Sequence, residues 1–294
     1  MSSSPSWGRN SSWMSEMDLR PFLEEDIGSG DITTGALVPD VPGRACVICE
    51  EDAVVAGLEE ASETFRLLGV SAEQLTADGE RVQKDAKIMI LEGPLRGILS
   101  GERVALNFLM KMSGIATETA SIVQMVREKD PDLKIAGTRK TTPGFRAFEK
   151  KAVALGGGWP HRNGLYDMIL IKDNHVIACG GIENALERVR GRPEGMKVEI
   201  EVANIGDGIL AAKNGADMIM ADHMSPSDTK EMREKARAVN ENILIEASGN
   251  ITKKNVVDFA GCADIVSLGS ITHSSKAVHF SLDVDLGLLK GSSL

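Results

Sequence analysis

Cysteine is scarce. Four residues in a 294-residue chain cannot build a disulfide scaffold, and this scarcity fits a reducing cytoplasm. Cys46 and Cys49 form a CxxC, but no second CxxC or histidine pair follows at zinc spacing. Both lie in the apolar run Ala45-Cys46-Val47-Ile48-Cys49 and read as strand residues, not as a redox or metal pair. No apolar run approaches the roughly 18 residues of a membrane span, so no membrane partner is expected. Residues 1–10 are rich in serine and lack a hydrophobic core. They read as a disordered start and not as a signal peptide. A cationic excess is missing too. Lys and Arg number 33 against 43 Asp and Glu, a net charge of -10, which is the wrong sign for a nucleic-acid partner.

What is present is an ordinary globular composition and an uneven distribution of charge. Residues 139–172 hold seven Lys and Arg but only the acids Glu149 and Asp167. A cationic stretch in an acidic chain suggests a focused site for a small anion. The first third reads as a mixture: strands over 44–50, 53–56 and 87–91, a helix over 58–68, and a helix that begins over 101–112 and continues after Ser113-Gly114 over 115–129. This is an α+β pattern. From Lys134 onward six short apolar runs recur, each ending in polar residues: 134–136, 168–171, 198–202, 218–220, 243–245 and 265–268. Helical stretches at 182–190, 206–214, 228–240 and 253–261 separate most of them. Strands alternating with helices imply a parallel sheet, whose chemistry gathers at the C-terminal strand ends.

Three features lie at those ends. Arg139, Lys140, His161, Arg162 and Lys172 follow strands or occupy turns, where guanidinium groups can hold carboxylates bidentately. A solvated basic surface would instead place such charges on helix faces. Glu199 and Glu201 are two apart, so on a strand they share one face, either the barrel interior or an exposed edge. Glu201 and Asp222 end successive units. They suit hydroxyl recognition, Mg2+ or a developing positive charge, although plain salt bridges would also account for them. Ser248-Gly249-Asn250 and Gly269-Ser270 follow the last two strands, where backbone N–H groups often bind phosphate. Together these describe a polyanionic aromatic or carboxylic ligand beside a sugar phosphate.

Several segments are similar to the quinolinate phosphoribosyltransferase family: Glu25 through Thr33, Glu102 through Asn107, Ser113 through Thr117, Thr138 through Gly144, Gly156-Gly157-Gly158 with His161-Arg162, Ile171 through His175, Glu246 through Gly249, and Gly269 through Ser274. The resemblance covers about residues 17–285. It implies a type II phosphoribosyltransferase-like α/β fold: an incomplete, about six-stranded α/β barrel (116–271) beside an α+β N-terminal domain (1–115 plus 272–294). The implied reaction joins quinolinate to phosphoribosyl pyrophosphate with Mg2+ and decarboxylation, giving nicotinate mononucleotide for NAD synthesis. By match, Arg139, Arg162, Lys172 and His161 would hold the carboxylates, with Thr138 nearby. Arg103 of a neighbouring subunit would complete the site in a homodimer, or in a hexamer of such dimers. Lys140 would sit at the reacting centre. Glu201 and Asp222 would act on ribose and, largely through the substrate, on Mg2+. Ser248, Gly249, Asn250, Gly269 and His273 would line the 5-phosphate pocket.

Two departures stand out: His223 where the family usually has Asn, and Asn250 where Gly is common. The alternatives are a phosphoribosyltransferase for another aromatic acid such as nicotinate, a family relative associated with molybdenum transport, a non-catalytic anion-binding protein on the same fold, and a Schiff-base lyase using Lys172 or Lys140.

Overall fold

The computed structural model describes residues 18–285. The expected disordered start (residues 1–10) and residues 286–294 of the expected returning segment lie outside the described residues.

The N-terminal region begins with α1 (Arg20–Ile27) and α2 (Ile32–Leu37). Then come β1 (Pro42–Cys49), β2 (Ala53–Val54), α3 (Leu58–Leu67), β3 (Ser71–Gln74), β4 (Arg81–Val82) and β5 (Ala86–Pro94). A 33-residue helix, α4 (Leu95–Arg127), crosses to the barrel elements. These are β6 (Lys134–Ala136), α5 (Arg146–Leu155), β7 (Ile169–Ile171), α6 (Asp173–Cys179), α7 (Ile182–Arg188), β8 (Val198–Val202), α8 (Ile205–Lys213), β9 (Met218–Asp222), α9 (Pro226–Val239), β10 (Leu244–Ser248), β11 (Ile265–Ser267) and α10 (Ser270–His273). The strand β12 (Phe280–Val284) then returns to the first sheet.

That first sheet is antiparallel in the order β12-β1-β5-β3, with Cys49 opposite Phe280. Along β1 every second residue is buried, so Ala45, Val47 and Cys49 face the core beneath α3 and α4. Cys46 and Cys49 are free strand residues, and burial raises the Cys49 thiol pKa, as suits an inert packing residue.

All six apolar runs become strands of one parallel sheet, ordered β6-β11-β10-β9-β8-β7. The edges β6 and β7 do not pair, which leaves the barrel incomplete. At that gap Trp159 bridges Ala136 of β6. The chain then turns inward through His161, so the gap is where a loop enters the barrel.

The structure departs from the sequence reading in several places. The helix read from residue 101 starts earlier, at Leu95, and continues through Ser113-Gly114 as expected. Ser113 Oγ accepts from the Ala56 amide at 2.9 Å, and a Cβ on Gly114 would lie 2.1 Å from the Lys276 carbonyl oxygen. That glycine serves a close backbone approach and not a turn. The expected helix over 253–261 is reduced to a short 3-10 turn, Val256–Phe259. There the Asn255 side chain accepts from the Thr252 amide at 2.7 Å, a local bond that competes with helix. Neither α5 nor α6 was expected, and both flank the site.

Candidate active site

The C-terminal ends of the parallel strands surround a cavity of about 440 Å3. Thr138, Arg139 and Lys140 enter it after β6, Lys172 after β7, Glu201 from β8, Asp222 from β9 and Ser248-Gly249-Asn250 after β10, while His161 and Arg162 enter through the barrel gap. Thus the cations, acids and glycine turn read separately along the sequence meet at one rim. Gly269 and His273 stand beside Lys140: a Cβ on Gly269 would lie 3.0 Å from Lys140 Cδ and 3.1 Å from His273 Nε2. Arg103 does not line this cavity. It lies exposed on α4, 3.9 Å from Glu102.

The cations are set up for an anion. Arg162 is 8% exposed, and its side chain makes no ion pair or hydrogen bond among the described residues. Burial first, then the nearby Arg139, lowers its pKa. Arg139 Nε is buried without a partner. Two guanidiniums that repel each other in a concave site gain from a ligand carrying carboxylates.

The acids are both inward. β8 lies between β7 and β9, so the exposed-edge reading fails. Glu201 pairs with Lys172 across the rim. Asp222 accepts from His223 at 2.8 Å. His223 itself has φ 57, a left-handed conformation that Asn and His tolerate better than most residues. Its ring covers Gly249, where any Cβ would lie 2.6 Å away. Asn250, at φ 54, likewise tolerates a conformation that Gly would adopt freely. Both sequence departures are therefore accommodated in the backbone.

His161 differs from the other expected anion-binding residues. Its Nε2 lies 3.0 Å from Glu246 and 3.3 Å from Glu199, both fully buried, while its Nδ1 accepts from the Arg162 amide at 2.7 Å. Burial would lower the imidazole pKa, but the two carboxylates outweigh it and raise it. A second proton would have to occupy Nδ1 and displace the Arg162 bond, so the Nε2 proton is the one that both effects retain. Glu199 is the carboxyl that keeps a proton, because burial and the Glu246 charge both raise its pKa. The three groups lie within metal-ligand distance of one another. A metal on Nε2 would force a proton onto Nδ1, against the Arg162 N–H, so the cluster shares protons and does not bind a metal. Sequence reading gave Glu246 no role. Its signal was an acid inside the apolar run Leu244-Ile245-Glu246-Ala247, the same signal that marked Glu199.

Behind the cations, Lys150 of α5 is buried. Burial, together with Arg146, Arg162 and Arg139, lowers its pKa from 10.5 to about 8, with Asp167 opposing. Between pH 8 and 10.5 the unfolded chain therefore binds a proton that the native chain does not. Stability should rise with pH across that window. Denaturation midpoints of wild type and Lys150→Met at pH 8 and pH 10 should diverge in favour of wild type, and a constant difference would refute this linkage.

A second cavity, of about 480 Å3, is lined by Phe22, Val104, Phe108 and Phe145 with Glu25, Asp26 and Lys111. It carries one cation against two acids and does not suit a polyanion.

Family models named for the quinolinate phosphoribosyl transferase C-terminal domain and N-terminal domain match residues 115–283 and 31–113. The chain is 41% identical over 258 residues to a probable nicotinate-nucleotide pyrophosphorylase (carboxylating) of Archaeoglobus fulgidus, covering 87% of this chain and 98% of that one. It is 41% identical over 274 residues to a Bacillus subtilis protein of the same description, covering 91% and 92%. The solved nicotinate-nucleotide pyrophosphorylase of Francisella tularensis superposes with a TM-score of 0.84 at 36% identity, covering 91% of this chain and 94% of that chain. Two family models in tandem, relatives of this identity spanning nearly the whole chain, and a cation-lined pocket at the barrel mouth agree: the chain belongs to the quinolinate phosphoribosyltransferase family.

Proposed function

We propose that this protein transfers phosphoribosyl from phosphoribosyl pyrophosphate to quinolinate with decarboxylation, giving nicotinate mononucleotide, pyrophosphate and carbon dioxide in NAD synthesis. The observation that carries this reading is the pair Arg139 and Arg162, lining one pocket without a carboxylate partner among the described residues. With Lys172 beside them, they match the two carboxylates of quinolinate better than the single one of nicotinate.

Arg139 and Arg162 orient the ring so that its nitrogen meets the anomeric carbon. His161 holds the Arg162 backbone through its Nδ1. Glu201 and Asp222 face the ribose and attract the positive charge that grows as the bond to pyrophosphate breaks. Lys140 stands beside Gly269 and His273, near the phosphates. After transfer, the carboxylate next to the nitrogen leaves as carbon dioxide, and the ring carbon takes a proton in its place.

Two hard carboxylates on adjacent strands fit Mg2+, but they are too few for an all-protein cage. Glu201 gives one oxygen to Lys172 and Asp222 one to His223, so each has another to offer. Glu201 and Asp222 would hold the ion together with the substrate's own oxygens. Bound Mg2+ supplies charge neutralisation to the pyrophosphate.

A homodimer completes this reading. Leu165, Tyr166 and Ile177, each 75% exposed, follow Arg162 and Lys172, while Ile32 (85%) and Leu37 (76%) lie on α2. The loop before α2 and the residue after it bond to α4 one turn or two before Arg103, through Asp31 to Ser100 and Val38 to Arg96. A two-fold that covered these apolar residues would leave Arg103, on the α4 turn beside them, available to a partner's pocket. A cytoplasmic location is part of the proposal; separately, no helix among the described residues is long and apolar enough to cross a membrane.

The test is incubation with quinolinate, phosphoribosyl pyrophosphate and Mg2+, with detection of carbon dioxide and nicotinate mononucleotide. Turnover of nicotinate in place of quinolinate would overturn the assignment. Within it, Arg162→Ala should weaken quinolinate binding by about 1.5–3 kcal/mol, the range of a charged hydrogen bond. Arg162→Lys should recover little, because a point charge does not replace a planar fork. Near-wild-type affinity of both variants by calorimetry would remove Arg162 from the carboxylate site.

A further inference from the structure

The helix α5 carries three consecutive buried charges. Glu149 accepts from the Thr142 amide at 3.1 Å and from its hydroxyl at 2.8 Å, holding the loop that follows β6. Lys151 pairs with Glu59 at 2.6 Å and Glu60 at 2.8 Å, holding the N-terminal region. Lys150, between them, donates to the backbone carbonyl of Pro160. It is 1% exposed and does not line the cavity.

We propose that Lys150 is a positioning residue for the carboxylate clamp: its ammonium fixes the Pro160–Arg162 turn and so delivers the Arg162 guanidinium to the substrate. The proposal rests on the reading of the pocket as a quinolinate site.

The turn needs such holding. His161 has φ 57, a left-handed conformation that histidine tolerates better than most residues but that still costs energy outside glycine, so the turn leans on its surroundings. Before the turn, the Trp159 amide donates to Ile135 at 2.7 Å and its carbonyl accepts from Gly137 at 2.9 Å. After it, Arg146 donates to the Asn163 carbonyl at 3.2 Å, and Asp167 accepts from the Asn163 amide at 2.7 Å. Pro160 has no N–H, so its carbonyl is the sole backbone polar group by which that residue can be held. Lys150 takes that carbonyl.

The charge is poorly placed to serve folding alone. Asp167 attracts it, while Arg146, Arg162 and Arg139 repel it, and burial opposes it further. Replacing a buried charge by an apolar side chain of similar volume is often neutral or stabilising. A purely structural lysine would therefore leave substrate constants unmoved when replaced; a positioning lysine moves one of them selectively.

The variant is Lys150→Met, assayed at pH 7 with full-length protein. The KM for quinolinate should rise about tenfold, as for loss of a charged hydrogen bond. The KM for phosphoribosyl pyrophosphate should stay within twofold, and the melting temperature should not fall. A quinolinate KM within twofold of wild type, or an equal rise in both KM values, overturns the proposal. Should the Met variant not accumulate as folded protein, Lys150→Gln, with a shorter neutral donor, carries the same test: a selective several-fold rise in quinolinate KM supports the proposal, and no rise or a shared rise refutes it. Wild-type protein that consumes no quinolinate would overturn the functional reading, and this proposal with it.

Discussion

A Glu201→Gln variant should turn over about 100- to 1000-fold more slowly than wild type, the effect of removing one well-placed electrostatic group from a transition state. Its affinity for quinolinate should hold or tighten. Positive charge grows on the ribose as pyrophosphate departs, so a fixed carboxylate attracts the transition state more strongly than the ground state. Glu201 is suited to this by position. It ends β8 with its side chain only 15% exposed, one strand from Asp222. Low exposure keeps the local dielectric low and the charge effective. The glutamine is nearly isosteric, so packing is preserved. In the substrate-free protein Glu201 pairs with Lys172. Substitution frees that ammonium for the quinolinate carboxylates, which is why binding should not weaken. If the pair with Lys172 were the whole role of Glu201, the variant would melt early yet turn over normally at saturation. Steady-state kinetics, a binding titration and a thermal melt on the one variant separate these outcomes.

What made Glu201 legible in the sequence is its position at the end of an apolar run. Parallel strands covered on both faces read as continuous Val, Ile and Met, so a charge among them stands out. The six barrel strands and the rim residues 138–140, 172, 222 and 248–250 were readable for that reason. The helix α5 was not. Glu149, Lys150 and Lys151 were read only as part of a charged stretch, yet all three are buried against partners set by tertiary structure; Lys151 meets Glu60 across 91 positions of sequence. The role of Gly114 was not legible either, because local propensity cannot reveal the Lys276 backbone that packs on it. His161 was readable as a cation near the site. Its anchoring to Glu246, 85 residues away, was not. Charges that line a site leave a sequence signal at strand ends, whereas charges that hold a site in place depend on partners from elsewhere in the fold.

Arg103→Ala and Glu201→Ala, each inactive alone, should restore activity when mixed and allowed to exchange subunits. Arg103 is absent from the lining of its own pocket, and its side chain is 57% exposed, with Glu102 at 3.9 Å as its partner. If Arg103 serves catalysis, its exposed position outside its own pocket favours action on another copy. In a two-fold dimer the Glu201 lesion disables the subunit's own site, while the Arg103 lesion disables the neighbour's. A mixed dimer therefore gathers both lesions in one site and leaves the other intact. Random exchange of equal amounts makes half of the dimers mixed, so about one quarter of wild-type activity should return. The alternative has Arg103 serving its own chain through local movement of α4, in which case every site in every mixture carries a lesion. Exchange verified by mass-tagged subunits, with no return of activity, would assign Arg103 to its own chain. Activity near one quarter, rising with the extent of exchange, would place it across the interface, opposite the rim that carries Arg139 and Arg162.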